Sequence, residues 1–291
     1  MILDVDPMVD YAFKHVFGRE PTKPILIDMI DSVRQLPADR RLVEIELLDS
    51  FNPMETPDDK LSILDVKARD ERGQQYNIEM QMLSFPDYEK RVVYYGAKFH
   101  QRQLRKGNHY RKLRPTISIS FLNHILFRDV PDYHLKFRLL EEKHHFPLCD
   151  DLEFHILELP KFTKSVNKLS NGLDKWLYFL RHAEKMDIEN LPAAIRSDPI
   201  LLQAVEELKV LTKNKTERER YESRRKAQLD YASGLLSARE EGRKEGLIDK
   251  VHLCQRLLAK PLTKEDQLSS MTLEDLTHLA DDLQREVLKR R

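Results

Sequence analysis

The sequence predicts an α/β fold, in which a β-sheet is flanked by helices and followed by an α-helical C-terminal tail. In the first 160 residues, short stretches of period-two alternation predict strands. Longer stretches with apolar residues at helical spacing predict helices between those strands. From Asn171 onward the pattern predicts helices only.

Composition narrows the class of protein. The 291 residues, 41% hydrophobic and 34% charged, suit one large domain with an appendage or two modest domains. Lys plus Arg and Asp plus Glu both number 49, so a nucleic-acid surface would need local segregation of charge. The sequence shows no apolar run of membrane-span length and starts with an acidic segment, while Cys149 and Cys254 suit a reducing compartment. We therefore expect a cytoplasmic protein.

Residues 61–83 predict a β-hairpin, because alternating stretches lie on both sides of a polar cluster, Glu71-Arg72-Gly73. If that cluster is a three-residue loop with Gly73 in the left-handed region, Asp65 lies directly opposite Glu79. Side chains that face each other in this way have Cβ atoms roughly 4.5–5.5 Å apart. Two carboxylates at that distance repel unless a cation or a proton lies between them. The hairpin therefore predicts a metal site.

The remaining elements follow from the same patterns. Helices are predicted in residues 7–35, interrupted at Gly18 and Pro21 and resuming from Lys23 to about Val33, and in residues 86–106, ending at Gly107-Asn108. Further strands are predicted for residues 41–49, 116–122 and 151–159. If residues 41–49 lie beside the hairpin as the third strand of a meander, their acidic side chains, Glu44 and Glu46, share the face of Asp65 and Glu79.

The predicted acidic face offers groups that hydrolysis of a phosphodiester needs. Carboxylates that hold Mg²⁺ supply a cation that polarises the phosphoryl oxygen and acidifies bound water. Gln81 lies two residues beyond Glu79 and Lys67 two beyond Asp65, so both share this face. The same spacing is also typical of an ordinary exposed strand face, on which Lys67 pairs with an acid in solvent. Spacing alone leaves both interpretations open.

The helix after the hairpin carries a basic stripe. Arg91, Tyr95, Lys98 and Arg102 recur at spacings of four, three and four, so they share one helix face and suit contacts with DNA phosphates. The alternative is an ordinary solvated face with Tyr95 in the core. One of Tyr94 and Tyr95 is expected in the core, and periodicity does not decide which.

Composition shifts near Thr212, after which residues 213–250 are densely charged and poor in large apolar side chains. We place a domain boundary there, between residues 1–212 and residues 213–291. The C-terminal region has too few apolar residues to fold alone. We therefore expect it to dock onto the rest of the chain or to oligomerise. Gly242 and Gly246, four apart, are weak evidence for close helix contact.

Three blocks of the sequence resemble one known family. They are DYAFKHVFG (10–18), LDVKARDERGQQYNIEMQ (64–81) and YEKRVVYYGAKFHQRQLRKGNHYRKLRPTISISFL (88–122). Together they resemble the Rpn group of the PD-(D/E)XK nuclease superfamily, the recombination-promoting nucleases described as putative transposases. The resemblance covers about residues 4–160, and EEGRKEG (240–246) is also similar to that group.

The resemblance implies a PD-(D/E)XK nuclease-like mixed sheet flanked by helices in residues 1–212, with Mg²⁺-dependent DNA endonuclease activity. It assigns Asp65 to the first acidic position and Glu79 to the second. Gln81 stands where the broader superfamily has its lysine, and an amide can neither act as a base nor carry charge. Lys67 is the nearest candidate to replace that charge. Asp10, on the first helix, is either an additional metal ligand or a helix-start acid.

Two other functions remain open at this stage. The first is a catalytically inactive DNA-binding or assembly protein that retains the nuclease fold, which the glutamine at position 81 and the charged tail favour. The second is a structural protein in which the hairpin face is plain surface and the tail is an oligomerisation helix. Metal-dependent cleavage or metal-dependent stabilisation would separate the nuclease from both.

Overall fold

A computed structural model of the chain describes residues 1–48, 51–52, 62–63 and 66–289. Its strands are β1 (Ile45–Leu48), β2 (Phe51–Asn52), β3 (Ser62–Ile63), β4 (Val66–Asp70), β5 (Gln75–Gln81), β6 (Thr116–Leu122), β7 (His134–Arg138) and β8 (Leu152–Glu158). Its helices are α1 (Asp10–Phe17), α2 (Lys23–Arg34), α3 (Tyr88–Gln101), α4 (Gly172–His182), α5 (Ala193–Arg196), α6 (Pro199–Lys213), α7 (Lys215–Leu257), α8 (Glu265–Ser269) and α9 (Leu273–Lys289).

Six strands form one mixed sheet in the order β1-β4-β5-β6-β8-β7, flanked by helices. β1, β4 and β5 form the predicted antiparallel meander, and β6 joins β5 in parallel after the crossover through α3. β6 is buried along its whole length between β5 and β8, as its β-branched sequence predicts. Within the described residues no strand occurs beyond Glu158, which confirms the helical C-terminal half.

The hairpin between β4 and β5 has the predicted loop. The backbone N–H of Asp70 donates to the carbonyl of Gln74 at 3.0 Å, and Gly73 lies in the left-handed region with φ of 80°. Val66 is opposite Ile78 and Lys67 is opposite Asn77. The register is the one that the predicted acidic pair requires. Asp65 itself lies outside the described residues, so the pair stays a prediction.

The helix after the hairpin is shorter than predicted, because α3 ends at Gln101 rather than near Lys106. Two residues later the Gln103 side chain pairs with the backbone of Arg114, accepting from its N–H at 2.9 Å and donating to its carbonyl at 2.8 Å. These tertiary hydrogen bonds hold the chain beside β6 in place of another helical turn. The predicted turn at Gly107 is present, with φ of 89°.

Strand β7 is a second difference, because the sequence analysis predicted no element at His134–Arg138. Among the described strands β7 lies at the edge of the sheet and pairs with β8, and most of it is exposed. The segment is short and only half apolar, so its own strand propensity is weak. It forms a strand because it pairs with β8.

The two faces of the sheet are covered differently. Tyr76, Ile78 and Met80 point to the main hydrophobic core, which also contains residues of α1, α2 and α4. Here Phe13 lies 6.4 Å from Phe121 between ring centres. Alternation sends Asn77 and Glu79 to the opposite face, which α3 covers.

The chain divides into two compact units, Met1–Arg225 and Lys226–Arg291, and α7 runs from one into the other. In the first unit the start of α7 belongs to the main core: Tyr221 is fully buried, and its hydroxyl accepts a hydrogen bond from the Asp6 N–H at 2.9 Å. The domain boundary that composition places at residue 213 stays a prediction.

The second unit has a small hydrophobic core of its own. Its buried residues are Ile248, Val251, Cys254, Leu258, Leu268, Leu276, Ala280 and Leu283. They come from the end of α7 and the residue that follows it, from α8 and from α9. Across the described part of the chain, the structure has no helix long and apolar enough to cross a membrane.

Candidate active site

The sheet face beneath α3 is polar where β4, β5 and β6 lie side by side. Lys67 of β4 is opposite Asn77 of β5, and Asn77 is beside Ser118 of β6. Two residues further along β5, Glu79 shares this face. All four side chains are buried, Glu79 with 7% of its surface exposed and Lys67 with 3%. The hairpin face that could have been plain surface is therefore the floor of a covered polar site.

Helix α3 packs closely over this site. A β-carbon built on Gly96 would lie 3.1 Å from the Ser118 hydroxyl and 2.7 Å from Cε1 of Phe154, so only glycine allows the helix to come this close. In the first turn of α3, the Tyr88 hydroxyl donates to Oε2 of Glu79 at 3.4 Å. Near the end of the helix, Nζ of Lys67 lies 5.6 Å from the centre of the Phe99 ring.

Glu79 is the ionisable centre of the site. Burial raises the pKa of its carboxyl group, and the Arg91 guanidinium partly opposes that shift. The Asn77 amide and the Tyr88 hydroxyl also oppose it, each donating a hydrogen bond of 3.4 Å. Hydrogen bonds of this length are weak, so the desolvated carboxylate is only partly compensated. A cation bound beside it would supply the missing compensation.

The donor atoms around Glu79 suit a hard divalent cation. Oδ1 of Asn77 and Oγ of Ser118 are buried and have no hydrogen-bond partner in the described part of the chain. Buried oxygens without a partner are costly, and carboxylate, amide and hydroxyl oxygens are ligands of Mg²⁺-type ions. Among the described residues no three His, Cys, Asp or Glu side chains are grouped for metal binding. Asp65 lies outside the described residues, so the acidic pair with Glu79 stays a prediction.

Two other predicted groups make local contacts. Gln81 is half-buried and its amide donates to the backbone carbonyl of Leu83 at 3.2 Å. Asp10 begins α1, and its carboxylate accepts a hydrogen bond from the Tyr11 N–H at 2.8 Å, as a helix-start acid does. Their assignments to the site, Gln81 at the water and Asp10 at a metal, stay predictions.

Glu46, the acidic residue of β1, is separated from Glu79. Glu46 lies opposite Arg69 and forms an exposed ion pair with it, with 3.2 Å between the charged atoms. Arg69 shares a face with Lys67, so the predicted orientation of Glu46 is confirmed. Along the sheet, however, Glu46 is level with Gln75, four residues before Glu79.

The predicted basic stripe on α3 is only partly accessible. Tyr95 is buried and Tyr94 is exposed, which settles the pair that periodicity left open. Arg91, Lys98 and Arg102 are half-buried, and Nζ of Lys98 lies 5.9 Å from the centre of the Tyr94 ring. The stripe therefore follows the edge of the contact between α3 and the sheet. Binding of DNA by this stripe stays a prediction.

Sequence analysis did not assign Asn77, Ser118 or Tyr88 to the site. A signal for the first two was present, because Asn77 alternates with Glu79, and Thr116, Ser118 and Ser120 alternate with apolar residues in β6. Tyr88 had no such signal, since its contact with Glu79 depends on how α3 crosses the sheet.

The comparison with known families agrees with this arrangement. The sequence profile of the PD-(D/E)XK nuclease family transposases matches residues 7–238. That range contains all six strands of the mixed sheet, helix α3 and every residue placed at the site. Searches among curated proteins and among solved structures returned no significant match. The chain belongs to the family of PD-(D/E)XK nuclease family transposases.

Proposed function

We propose that the protein is a cytoplasmic, Mg²⁺-dependent DNA endonuclease that hydrolyses phosphodiester bonds at the sheet face beneath α3. The observation that carries the proposal is the buried, incompletely compensated carboxylate of Glu79 beside two buried oxygen acceptors without partners. Membership in a nuclease family makes DNA the expected substrate. Self-association through the C-terminal helices is proposed as an accompanying property.

Each residue has a role in this proposal. Val66 is opposite Ile78 in the hairpin, and the same register continued by one residue would set Asp65 opposite Glu79. These two carboxylates are the proposed metal ligands. Bound Mg²⁺ would polarise the phosphoryl oxygen and acidify a water molecule. Lys67, a buried cation two residues from Asp65, would lower the charge on this face. Gln81 would orient a water molecule through its amide, because it cannot take a proton.

Plasmid nicking tests the proposal. The wild type is expected to nick supercoiled DNA with Mg²⁺ and to stop when the metal is chelated. Asp65→Ala and Glu79→Ala should each abolish nicking. Glu46→Ala is the matched control, because Glu46 is an acid on the same sheet face that is exposed and paired with Arg69. If both acid variants nick like the wild type, the site assignment is wrong.

A second candidate is a catalytically inactive DNA-binding protein that retains the nuclease fold. The observation that favours it is Gln81, an uncharged amide bound to the Leu83 carbonyl where the broader superfamily has a lysine. Such a protein would show salt-sensitive DNA binding without metal-dependent cleavage, so the same nicking assay separates the two functions.

A further inference from the structure

Arg91, in the first turns of α3, is a cation whose charge acts on the Glu79 carboxyl group. It lies three residues after Tyr88, so both side chains project from one face of the first turns of α3. The Tyr88 hydroxyl reaches Glu79, and the Arg91 guanidinium acts on the same carboxyl group, lowering its pKa against the effect of burial. Lys67, by contrast, has its ammonium group over the Phe99 ring, toward the other end of α3.

The surroundings of Arg91 restrict its guanidinium group and bury its Nε atom. Its guanidinium carbon lies 5.8 Å from the centre of the Phe85 ring and 5.6 Å from that of Tyr95. Aromatic rings at this distance favour a desolvated guanidinium and restrict its motion. Nε of Arg91 is buried and has no hydrogen-bond partner among the described residues. A buried charged donor without an acceptor is costly, and an anionic oxygen bound there would remove that cost.

We propose that Arg91 positions Glu79 and donates its Nε–H to a phosphate oxygen of the DNA at the point of cleavage. Arg91 would thus supply the positive charge that Gln81 cannot. The inference rests on the proposed function in one respect, since it takes DNA as the bound anion. It differs from the basic-stripe prediction, in which Arg91, Lys98 and Arg102 all contact phosphates of the DNA backbone in the same way.

The placement of Arg91 is tested by a double-mutant cycle on the full-length protein without metal or DNA. Trp176, the one tryptophan of the chain, lies in α4 of the first unit, so its fluorescence reports urea unfolding there. Arg91→Met should destabilise the protein less in a Glu79→Gln background, because no buried carboxylate then loses its counter-charge. We expect at least about threefold coupling in the unfolding equilibrium constant. Additive effects would overturn the proposal.

Lys90→Met is the matched control for that cycle. Lys90 is the neighbouring cation on α3, is exposed and pairs with Asp87. Its substitution should combine additively with Glu79→Gln. Equal coupling for Lys90 and Arg91 would show a general charge effect and would also overturn the proposal.

The role of Arg91 is tested by separating binding from turnover. Arg91→Met should lower the cleavage rate at saturating DNA by about 100-fold or more, as expected for loss of a donor to the reacting group. Affinity for uncut duplex, measured with Ca²⁺ in place of Mg²⁺, should weaken no more than about tenfold. Arg91→Lys keeps the charge without the Nε–H and should have an intermediate rate. A rate for Arg91→Met equal to that of Lys90→Met overturns the proposal.

The two experiments keep this proposal distinct from the proposed function. If the wild type cleaves and Arg91→Met cleaves equally well, only the role of Arg91 fails. If the wild type cleaves no DNA, the endonuclease function fails, and the cycle decides by itself whether Arg91 is the charge partner of Glu79. Coupling then supports that placement, and additivity overturns it.

Discussion

Gly96 of α3 lies so close to Phe154 of β8 that a β-carbon at residue 96 would come within 2.7 Å of the ring. Overpacking of this kind usually costs about 1–3 kcal/mol, whereas replacing a helical glycine by alanine gains about 1 kcal/mol. Gly96→Ala should therefore lower the free energy of unfolding by up to about 2 kcal/mol, measured by urea unfolding followed at Trp176. It should also lift α3 and reduce nicking.

The matched control is Gly234→Ala. Gly234 lies within the long helix α7, and a β-carbon there would meet no atom within 4 Å. This change should raise helix stability by about 0.5–1 kcal/mol. A Gly96→Ala protein that is as stable as the Gly234→Ala protein would contradict the close contact between α3 and the sheet.

Divalent metal should stabilise the wild type. A ligand that binds only the folded state raises stability, by about 2.7 kcal/mol at a concentration 100 times its Kd. The melting temperature should rise with Mg²⁺ or Mn²⁺, and Asp65→Asn or Glu79→Gln should abolish that rise. Glu46→Gln should leave it unchanged, because the Glu46 carboxylate pairs with Arg69. An undiminished rise in both site variants would place the metal elsewhere.

The basic stripe predicts a sequence-independent loss of DNA affinity. Replacing Lys98 and Arg102 with Ala should weaken binding almost uniformly across sequences, and each lost phosphate contact should reduce the salt slope by roughly one unit. Adding Arg91→Ala should extend the loss. Affinity is measured by titration at several salt concentrations, with Lys90→Ala as the control on the same helix. Unchanged affinity and salt slope would show that the DNA surface lies elsewhere, and the arginines of residues 218–225 in α7 would be the next candidates.

A buried histidine, His155, and a half-buried one, His134, predict loss of stability in acid. Burial lowers the pKa of His134 to about 4, and burial also lowers the pKa of His155. His134 hydrogen-bonds His155 at 2.8 Å, and His155 hydrogen-bonds Glu153 at 2.8 Å. The pKa of His134 is about 6.5 in the unfolded chain and about 4 in the fold, so its contribution to stability is fully present above pH 6.5. That contribution is lost as pH falls from 6.5 toward 4, by about 1.4 kcal/mol per pH unit, and the lowered pKa of His155 adds to the loss.

Urea unfolding at a series of pH values measures that loss. His134→Gln should make the fall between pH 6.5 and pH 4 shallower. His109→Gln, in an exposed loop, should leave the slope as in the wild type. A slope that does not change in His134→Gln would show that the acid sensitivity has another origin.

Two truncations test where the first folded unit ends. The chain 1–225 keeps the buried Tyr221 and the hydrogen bond of 2.7 Å from the Tyr11 hydroxyl to Glu217, whereas the chain 1–212 loses both. Loss of a buried aromatic side chain costs about 3–5 kcal/mol, so 1–212 should be less stable by that amount. Equal stability by Trp176 fluorescence would support the boundary at residue 213. A lower oligomeric state of 1–225 in size-exclusion chromatography would assign self-association to the C-terminal unit.

Local patterns in the sequence were sufficient to predict much of the fold. The alternation in residues 61–83 and the glycine at position 73 predicted the hairpin, its loop and its register, because strand geometry and left-handed turns depend on neighbouring residues. The length and β-branched content of β6 predicted an interior strand. The three sequence blocks predicted the family that the profile confirms.

The sequence by itself determined which side chains share a face of the hairpin and of α3, because those periods are properties of the backbone. Only the tertiary structure decided that α3 covers the face of Glu79, that Tyr95 and not Tyr94 is buried, and that the charge of Arg91 lowers the pKa of the Glu79 carboxyl group. It also made His134–Arg138 a strand and ended α3 at Gln101. These outcomes depend on contacts between residues far apart in the chain, where packing and desolvation outweigh local preference.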